Sequence, residues 1–305
     1  MNLSDLIALQ GTLFALMLLG AWMKKRGVID AAGKRCLTDL CVNLIIPCNI
    51  FRSCLLEMDM EIFRACGLLL LSAAVMQAAC LALNRFLFNC YPPQRKKVLQ
   101  YCTIVPMSGF LGNPIAEGLY DAVGVLYTSI FLIPMRIVMW SVGTTYFVAD
   151  AEVDKKKVAK NVATHPCLVA IYLGLFCMVT QLPLPAVVTK TVGYVGSCNS
   201  AMTMFIVGTI LADVKLSTIV SKDTILFSFL RLLALPTLAL GLGTALGLER
   251  VALGVSVLMT GMPAGATVAI FAARYGSDAD FATRCVVFST LASMVTLPMW
   301  CYLMG

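Results

Sequence analysis

Charged residues are scarce in this sequence. Only 13% of its 305 residues are Asp, Glu, Lys or Arg, whereas soluble globular proteins carry about 25%. Hydrophobic residues make up 60% of the chain, and the mean hydropathy is +0.88. A soluble chain of this length cannot cover so much apolar surface with polar groups, but a bilayer removes that requirement. The composition therefore argues against a soluble protein and predicts an integral membrane protein.

Several residue types and motifs that carry common chemistry are also missing. His165 is the only histidine, which excludes a His-rich metal site. No CxxC pair occurs among the 13 cysteines, most of which lie in apolar runs and are predicted to be reduced packing residues. The chain contains no GxxxxGK[ST], HExxH or GxSxG motif. We therefore expect no cofactor and no metal, and an embedded enzyme would have to rest on a cysteine or a Ser–Lys pair.

What is present is a series of apolar runs, each near the roughly 20 residues that a helix needs to cross a bilayer. Ten runs are predicted to span the membrane, at residues 3–23, 36–56, 62–88, 98–120, 123–148, 166–182, 185–212, 223–247, 251–274 and 281–303. The first run has no basic segment before it and no clear cleavage site, so it is interpreted as a retained helix rather than a signal peptide.

The charges of the intervening loops alternate. Most of the 23 Lys and Arg residues lie in the odd-numbered loops, whereas the second loop is acidic. The positive-inside rule then predicts a multi-pass protein of the cell membrane with odd loops in the cytoplasm and both termini outside. Because the net charge of +7 is spread over short loops, no nucleic-acid partner is expected.

Ten spans divide into two groups of five, and five is odd. The second group must therefore enter the membrane in the opposite orientation, as in an inverted repeat. The predicted organisation is a first repeat at residues 1–150, a cytoplasmic linker at 151–165 and a second repeat at 166–305. The predicted fold is an all-α polytopic membrane protein of ten transmembrane helices.

The fourth span of each repeat is a poor continuous helix. Residues 105–114 contain two prolines and two glycines, and residues 260–265 have the same character. In lipid, an interrupted helix is tolerated only where its freed backbone faces protein or a wet cavity. Half-helix ends at membrane depth attract ions, so matched interruptions point to a transport site. The alternative, that the prolines merely kink helices for packing, stays open.

Several short motifs resemble the signatures of a known transporter family, the auxin efflux carriers. They are SGFLGNPI at residues 108–115, TGMP at 260–263, RYG at 274–276, STLAS at 289–293, TLP at 296–298 and LIIP at 44–47. The family includes bacterial malate or malonate permeases and plant auxin exporters. The exporters have a long central loop, and because that loop is short here the bacterial branch is the more similar one.

This resemblance implies a mechanism as well as a fold. It implies scaffold and transport domains each drawn from both repeats, with broken, crossing fourth and ninth helices that hold the substrate. It also implies elevator-type alternating access and a homodimer. The expected function is secondary active transport of a small organic anion, a carboxylate such as malate, malonate or an auxin-like acid.

The resemblance also suggests site residues. Plant members bind carboxylate with an asparagine near the crossover, and Asn113 matches that place in the first repeat. The second repeat has no asparagine at its interruption, so Thr260 or Thr267 would have to serve. The predicted substrate site is completed by Ser108, Gly112, Pro114 and Pro263.

Two charged residues at membrane depth join these candidates. Arg136 lies near the centre of the fifth span, where a charge costs about 2.5–3.5 kcal/mol on insertion scales. It is predicted either to bind the substrate carboxylate or to form an ion pair with Glu117. Glu117 is a candidate for coupling to H⁺ or Na⁺, unless it lies high enough to reach outside water. Arg231 in the eighth span is expected to snorkel toward the cytoplasm.

Rival functions remain open at this point. A sodium-coupled carboxylate or bile-acid-like symporter would share the same helix interruptions. A membrane-embedded enzyme would need a compact catalytic constellation at depth, which one histidine and one deep carboxylate hardly allow. A sensor without transport would need a partner, because the short loops leave no output domain.

Overall fold

The computed structural model describes residues 3–55, 60–143, 145–147, 160, 163–181, 183–212 and 219–304, and most of these residues are helical. The helices are α1 Leu3–Lys25, α2 Ala31–Leu40, α3 Ile46–Ser53, α4 Met60–Asn84, α5 Pro93–Ile104, α6 Asn113–Val138, α7 Pro166–Thr180, α8 Ala186–Ser197, α9 Asn199–Ala212, α10 Lys222–Phe229, α11 Leu235–Ala245, α12 Arg250–Thr260, α13 Thr267–Arg274 and α14 Ala279–Met304. Four wider π turns in the described part adjoin these helices, at Cys41–Ile45, Ser108–Gly112, Met139–Gly143 and Leu230–Ala234.

Helix is found within each of the ten predicted apolar runs. Within the described residues, five helical runs are long and apolar enough to cross a membrane, namely Met60–Asn84, Ser108–Val138, Ala186–Ala212, Lys222–Ala245 and Ala279–Met304. The all-α, multi-pass class is thereby confirmed. The predicted linker at residues 151–165 lies outside the described residues, except for positions 160 and 163–165.

The long helix α6 contains one residue that is not helical. Asp121 has φ 53° and ψ −142°, so the helical run is broken there into two pieces. A positive φ is uncommon for residues other than glycine, although aspartate tolerates it better than most. The break falls where the sequence places the shortest loop, between the fourth and fifth predicted spans.

Two of the π turns are each separated from a following proline by a single residue. Pro47 follows Cys41–Ile45 and Pro236 follows Leu230–Ala234. Because proline has no N–H, it cannot bond to the carbonyl four residues earlier, and the wider turn accommodates that mismatch. The indole nitrogen of Trp300 donates to the freed carbonyl of Leu232 at 2.9 Å.

The chain forms two compact units. Unit 1 comprises Met1–Gly67, Phe110–Ile130 and Ala163–Asp213, and unit 2 comprises Leu68–Gly109, Phe131–Val162 and Val214–Gly305. Each unit therefore takes segments from both halves of the sequence.

Unit 1 is held together by closely packed helices. Helix α1 runs along α9, and α3 packs against α7 and α8. Gly20 lies against the backbone of Phe205, and Gly208 lies against the backbone of Met17, so neither position has room for a Cβ atom. Small residues that let helix backbones approach are the usual packing device of membrane helices.

Unit 2 is organised around α14, which contacts α5, α10, α12 and α13. An aromatic cluster links the end of α5 to α13. The Tyr101 ring lies 5.4 Å from Phe271 and 5.4 Å from Phe147, and Phe147 stacks on Phe271 at 6.0 Å. These large side chains place the ends of two interrupted helices beside each other.

Candidate functional site

The first interruption in unit 2 follows α5. Helix α5 ends at Ile104, and Val105 is extended with φ −121° and ψ 92°. A residue before proline is pushed out of the helical region, and Pro106 itself has no N–H to donate. Helix resumes at Ser108. The break is therefore centred on Pro106, whereas Pro114 lies in the first turn of α6.

The second interruption separates α12 from α13. Helix α12 ends at Thr260 and α13 begins at Thr267, so six residues lie between them. Pro263 stands in the middle of this segment and is completely surrounded by protein. The position agrees with the sequence interpretation of residues 260–265.

The two interruptions pair with each other through their backbones. The Met107 amide donates to the Pro263 carbonyl at 2.8 Å, and the Gly265 amide donates to the Val105 carbonyl at 2.9 Å. Pro106 and Ala264 thereby form an antiparallel bridge. A buried backbone group without a partner is costly, and this exchange satisfies two donors and two acceptors that the helices have released.

Gly265 is required by this pairing. A Cβ atom there would lie 2.9 Å from the Val105 carbonyl oxygen, which is closer than real Cβ contacts come. Because the neighbouring atom is backbone, it cannot rotate out of the way. The close approach of the two interrupted segments therefore depends on glycine at position 265.

Side chains satisfy further backbone groups around the bridge. Ser108 Oγ, which is fully buried, donates to the Met259 carbonyl at 3.0 Å. Gln77 Nε2 donates to the Ile104 carbonyl at 2.9 Å. Ser289 Oγ accepts from the Ala264 amide at 3.1 Å. These bonds fix both interruptions in one arrangement within unit 2.

Arg231 is the residue that the sequence analysis missed. It was expected to snorkel, but only 3% of it is exposed. Its Nε donates to the Met262 carbonyl at 2.9 Å, and its Nη1 donates to the Thr103 carbonyl at 2.9 Å. One guanidinium thus bonds to a carbonyl of each interruption. Its position inside the π turn Leu230–Ala234, with Pro236 close behind, was the available signal for a specially oriented side chain.

A small cavity adjoins this arrangement. It has a volume of about 20 Å³, and Arg231, Gln77, Thr260 and Pro106 are among its lining residues. That is room for about one water molecule. Thr260 is 5% exposed, and its Oγ1 has no hydrogen-bond partner among the described residues.

The remaining residues predicted in the second interruption also lie here. Thr267 Oγ1 is 3.1 Å from the hydroxyl of Tyr101, which ties the first turn of α13 to α5. Unit 2 therefore brings Ser108, Thr260, Pro263 and Thr267 to the two interruptions. It also contains Arg136, which is buried and whose Nη1 has no partner among the described residues.

Other predicted residues belong to unit 1. Gly112, Asn113 and Pro114 are buried there, and both amide atoms of Asn113 lack hydrogen-bond partners in the described part of the chain. Both amide atoms of Asn199 are likewise buried without a hydrogen-bond partner among the described residues.

Glu117 has partners within unit 1. Arg52 Nη2 lies 3.0 Å from Glu117 Oε1, and Asn49 Nδ2 donates to Oε2 at 3.2 Å. The sequence suggested Arg136 as the ion-pair partner of Glu117. The ion pair that the structure shows is with Arg52 instead.

A second ionic group lies at the start of several helices of unit 2, outside the membrane-spanning segments. Arg95 contacts Asp278 at 3.0 Å and Asp223 at 3.3 Å, and it lies over the Phe281 ring at 5.0 Å. Burial acts to raise the pKa of Asp278, but hydrogen bonds from the Phe281 amide and Arg95 hold that pKa below its ordinary value. Burial and the neighbouring Asp223 raise the pKa of Tyr91.

The thirteen cysteines, all of which lie in the described part of the chain, form no disulfide bond there, and Cys36, Cys90 and Cys198 are exposed rather than packed. Among the described residues there is no group of three or more His, Cys, Asp or Glu side chains arranged to hold a metal ion.

Comparison with known proteins connects this geometry to a function. A family model described as a membrane transport protein matches residues 11–164 and 152–301. An uncharacterized transporter of Methanothermobacter thermautotrophicus is 27% identical over 201 residues, which is 63% of this chain and 63% of that protein. The uncharacterized transporter YfdV of Escherichia coli K12 is 25% identical over 302 residues, which is 95% of each chain.

Plant proteins are similar over a shorter stretch. The probable auxin efflux carrier component 1c of Oryza sativa subsp. japonica is 22% identical over 151 residues. That stretch is 49% of this chain but only 26% of the rice protein. The similarity to the plant proteins therefore covers about a quarter of their length.

Proposed function

The chain belongs to the membrane transport protein family that includes the auxin efflux carriers, and we propose that it is a secondary active transporter of a small organic anion. The relatives described above are named as transporters, in agreement with a protein that is not an enzyme. The proposed location is the cell membrane, with both termini outside.

One observation carries the proposal. Two interrupted helices exchange backbone hydrogen bonds inside a hydrophobic unit, and a buried guanidinium bonds to a carbonyl of each. Interrupted helices that meet at membrane depth are the arrangement in which transporters hold charged solutes. A positive charge at that place favours an anion. The auxin efflux carriers of plants are named for a carboxylic acid, which makes a carboxylate the proposed substrate class.

The division into two units supports an elevator mechanism. Unit 2 contains both interruptions, and each unit draws on both halves of the chain. We propose a ten-helix, 5+5 inverted repeat in which the interrupted fourth and ninth helices cross. Unit 2 would then act as the transport domain and unit 1 as the scaffold of a homodimer. Asn113, Gly112, Pro114 and Arg136 remain proposed substrate ligands.

Coupling to an ion is assigned to Glu117. In the structure its carboxylate is bound to Arg52 and Asn49. Uptake of H⁺ or Na⁺ by Glu117 would weaken its ion pair with Arg52. The coupling ion would then replace Arg52 as the cationic partner of this carboxylate.

The test is binding and flux on purified protein. We expect thermal-shift screening of mono- and dicarboxylates to raise Tm for at least one acid, because a ligand that binds only the folded state stabilises it by about 2.7 kcal/mol at 100 times its Kd. The same acid should enter proteoliposomes, and replacement of Na⁺ by choline should show whether Na⁺ is the coupling ion. Asn113→Ala should weaken binding of that acid.

One result would contradict the proposed function, and another would contradict only the role of Asn113. Binding without flux in sealed proteoliposomes would favour a sensor. Flux that is unchanged in Asn113→Ala would remove Asn113 from the site but leave the transport function in place.

A further inference from the structure

Arg231 is a buried cation whose partners in unit 2 are not acidic. We propose that its guanidinium binds a single carboxylate group of the transported anion in the adjacent cavity and so determines the specificity for acids over neutral analogues. This inference rests on the proposed function, because it names the group that recognises the anion's charge.

The hydrogen bonds of Arg231 leave donors free. A guanidinium has five N–H donors in a planar fork. Two of them bond to the carbonyls of Thr103 and Met262. The described residues provide no partner for Nη2, so the outer edge of the fork keeps the paired donors that suit a carboxylate.

The charge of Arg231 is not neutralised by a neighbouring side chain. The titratable groups that interact with it electrostatically are the thiols of Cys80 and Cys102. Thiols in an apolar setting are uncharged at neutral pH. Arg52 in unit 1, by comparison, contacts the carboxylate of Glu117 at 3.0 Å. Among the described residues, therefore, no acidic side chain accompanies Arg231, and a substrate carboxylate would supply the missing charge.

The cavity provides a second donor. Arg231 and Thr260 both line it, and the buried Thr260 Oγ1 has no hydrogen-bond partner among the described residues. A guanidinium and an unpartnered hydroxyl facing one small space form a site for an oxyanion. The remaining lining is mainly apolar, which strengthens an ionic contact because water is excluded.

The size of the cavity limits what enters it. A volume of about 20 Å³ holds roughly one water molecule, so only the charged end of an organic anion would occupy it. Met76 and Met135 are also in the lining, and methionine side chains change rotamer easily. The organic part of the anion would then lie outside this cavity.

The same guanidinium also holds the two interruptions together. Its bonds to Thr103 and Met262 reach one carbonyl on each side of the bridge. Neutralising the guanidinium with a carboxylate would change the strength of both bonds. Arg231 therefore links the presence of an anion to the geometry of the paired interruptions.

The experiment compares acids with their neutral amides on purified protein. Malonate and indole-3-acetate are the acid probes, and malonamide and indole-3-acetamide are the neutral controls. Binding is measured by thermal shift and isothermal titration for wild type, Arg231→Gln, Arg231→Lys and Thr260→Val. Lys222→Gln, which removes an exposed charge from the same helical run, is the matched control.

We expect the wild type to bind at least one acid and neither amide. Arg231→Gln should weaken that acid's binding by about 30-fold or more, because a charge-assisted bidentate contact is lost. Thr260→Val should weaken it by about 5- to 10-fold, and Lys222→Gln should leave it unchanged.

Arg231→Lys keeps the charge and provides a readout that a purely structural role would not move. A buried lysine loses its proton more readily than an arginine. Acid binding by this variant should therefore weaken as pH rises from 7 to 9, whereas binding by the wild type should not. This comparison also serves if Arg231→Gln does not fold.

The outcomes separate this inference from the function on which it rests. Wild-type affinity for acids in a folded Arg231→Gln variant, or the same pH profile in Arg231→Lys as in wild type, overturns the role of Arg231 while transport stands. Failure of the wild type to bind or move any organic anion overturns the proposed function itself.

Discussion

The two units provide different partners for the polar groups that they place among apolar helices. In unit 1, Arg52 pairs with Glu117, and the contact is between side chains. In unit 2, Arg231 bonds to main-chain carbonyls that interrupted helices have released. An ion pair between side chains is complete without a ligand. A cation that bonds only to backbone dipoles keeps its full charge, so the comparison favours unit 2 as the place of the proposed anion site.

The largest effect is expected from breaking the backbone pairing in unit 2. Gly265→Ala places a Cβ atom 2.9 Å from the Val105 carbonyl oxygen. Separating the paired interruptions should cost about 2–3 kcal/mol of stability and abolish transport, because overpacking against backbone forces the chain to move. Tm in detergent and acid uptake in proteoliposomes are the measurements.

The control for this variant is Gly241→Ala in α11 of the same unit. No atom lies within 4 Å of the Cβ position there. That variant should be neutral or stabilising by up to about 1 kcal/mol, since alanine favours helix over glycine. If Gly265→Ala transports as well as Gly241→Ala, the pairing of the interruptions is not needed for function.

A smaller effect is expected at the ionic group of Arg95 and Asp278. Asp278→Asn should cost about 0.5–1 kcal/mol at neutral pH, because the pair is partly exposed and screened by solvent. Since the folded state lowers the pKa of Asp278, its contribution is present above the unfolded pKa near 4 and is lost as pH falls through the folded value.

The measurement is unfolding in detergent between pH 3 and pH 7, with Asp278→Asn compared with wild type. The two curves should converge at the acid end. A constant difference down to pH 3 would show that the Asp278 carboxylate does not contribute through its charge. Arg284 also lowers the pKa of Asp278, so both proteins in this comparison should keep Arg284.

An effect on stability of the same small size is expected for Arg52 and Glu117 in unit 1. More than a third of the Arg52 side chain is exposed, so a double-mutant cycle of Arg52→Gln and Glu117→Gln should give a coupling energy of about 0.5–1 kcal/mol.

If Glu117 couples transport to an ion, Glu117→Gln should remove the dependence of acid uptake on the H⁺ or Na⁺ gradient while the protein stays folded. Persistence of that dependence would remove Glu117 from the coupling role.

Much of the helix layout could be predicted from the sequence, because the hydrophobicity of a segment depends only on its own residues. The apolar runs located the helices, and the turn at Asp121 fell between two of them. Proline chemistry located the interruptions as well. Pro106 and Pro114 looked equivalent in the sequence, however, and only the fold shows that the helix stops at the first of them.

The site was harder to predict from the sequence, because the hydrogen-bond and ion-pair partners of a side chain depend on which helices pack together. Arg52 and Glu117 are 65 residues apart, and no local pattern identifies them as a pair. Arg231 resembled a snorkelling residue near a helix end. Its burial follows from the π turn around it and from the two carbonyls that it meets, both of which belong to other segments.

The sequence by itself determined that this chain is a membrane protein of apolar helices and that two of its segments cannot remain continuous helices. Those properties depend on composition and on the missing N–H of proline, which are local. Only the tertiary structure decided that the two interrupted segments pair with each other and that an arginine bonds to both. The physical reason is that a freed backbone group must find a partner, and packing alone determines which partner is within reach.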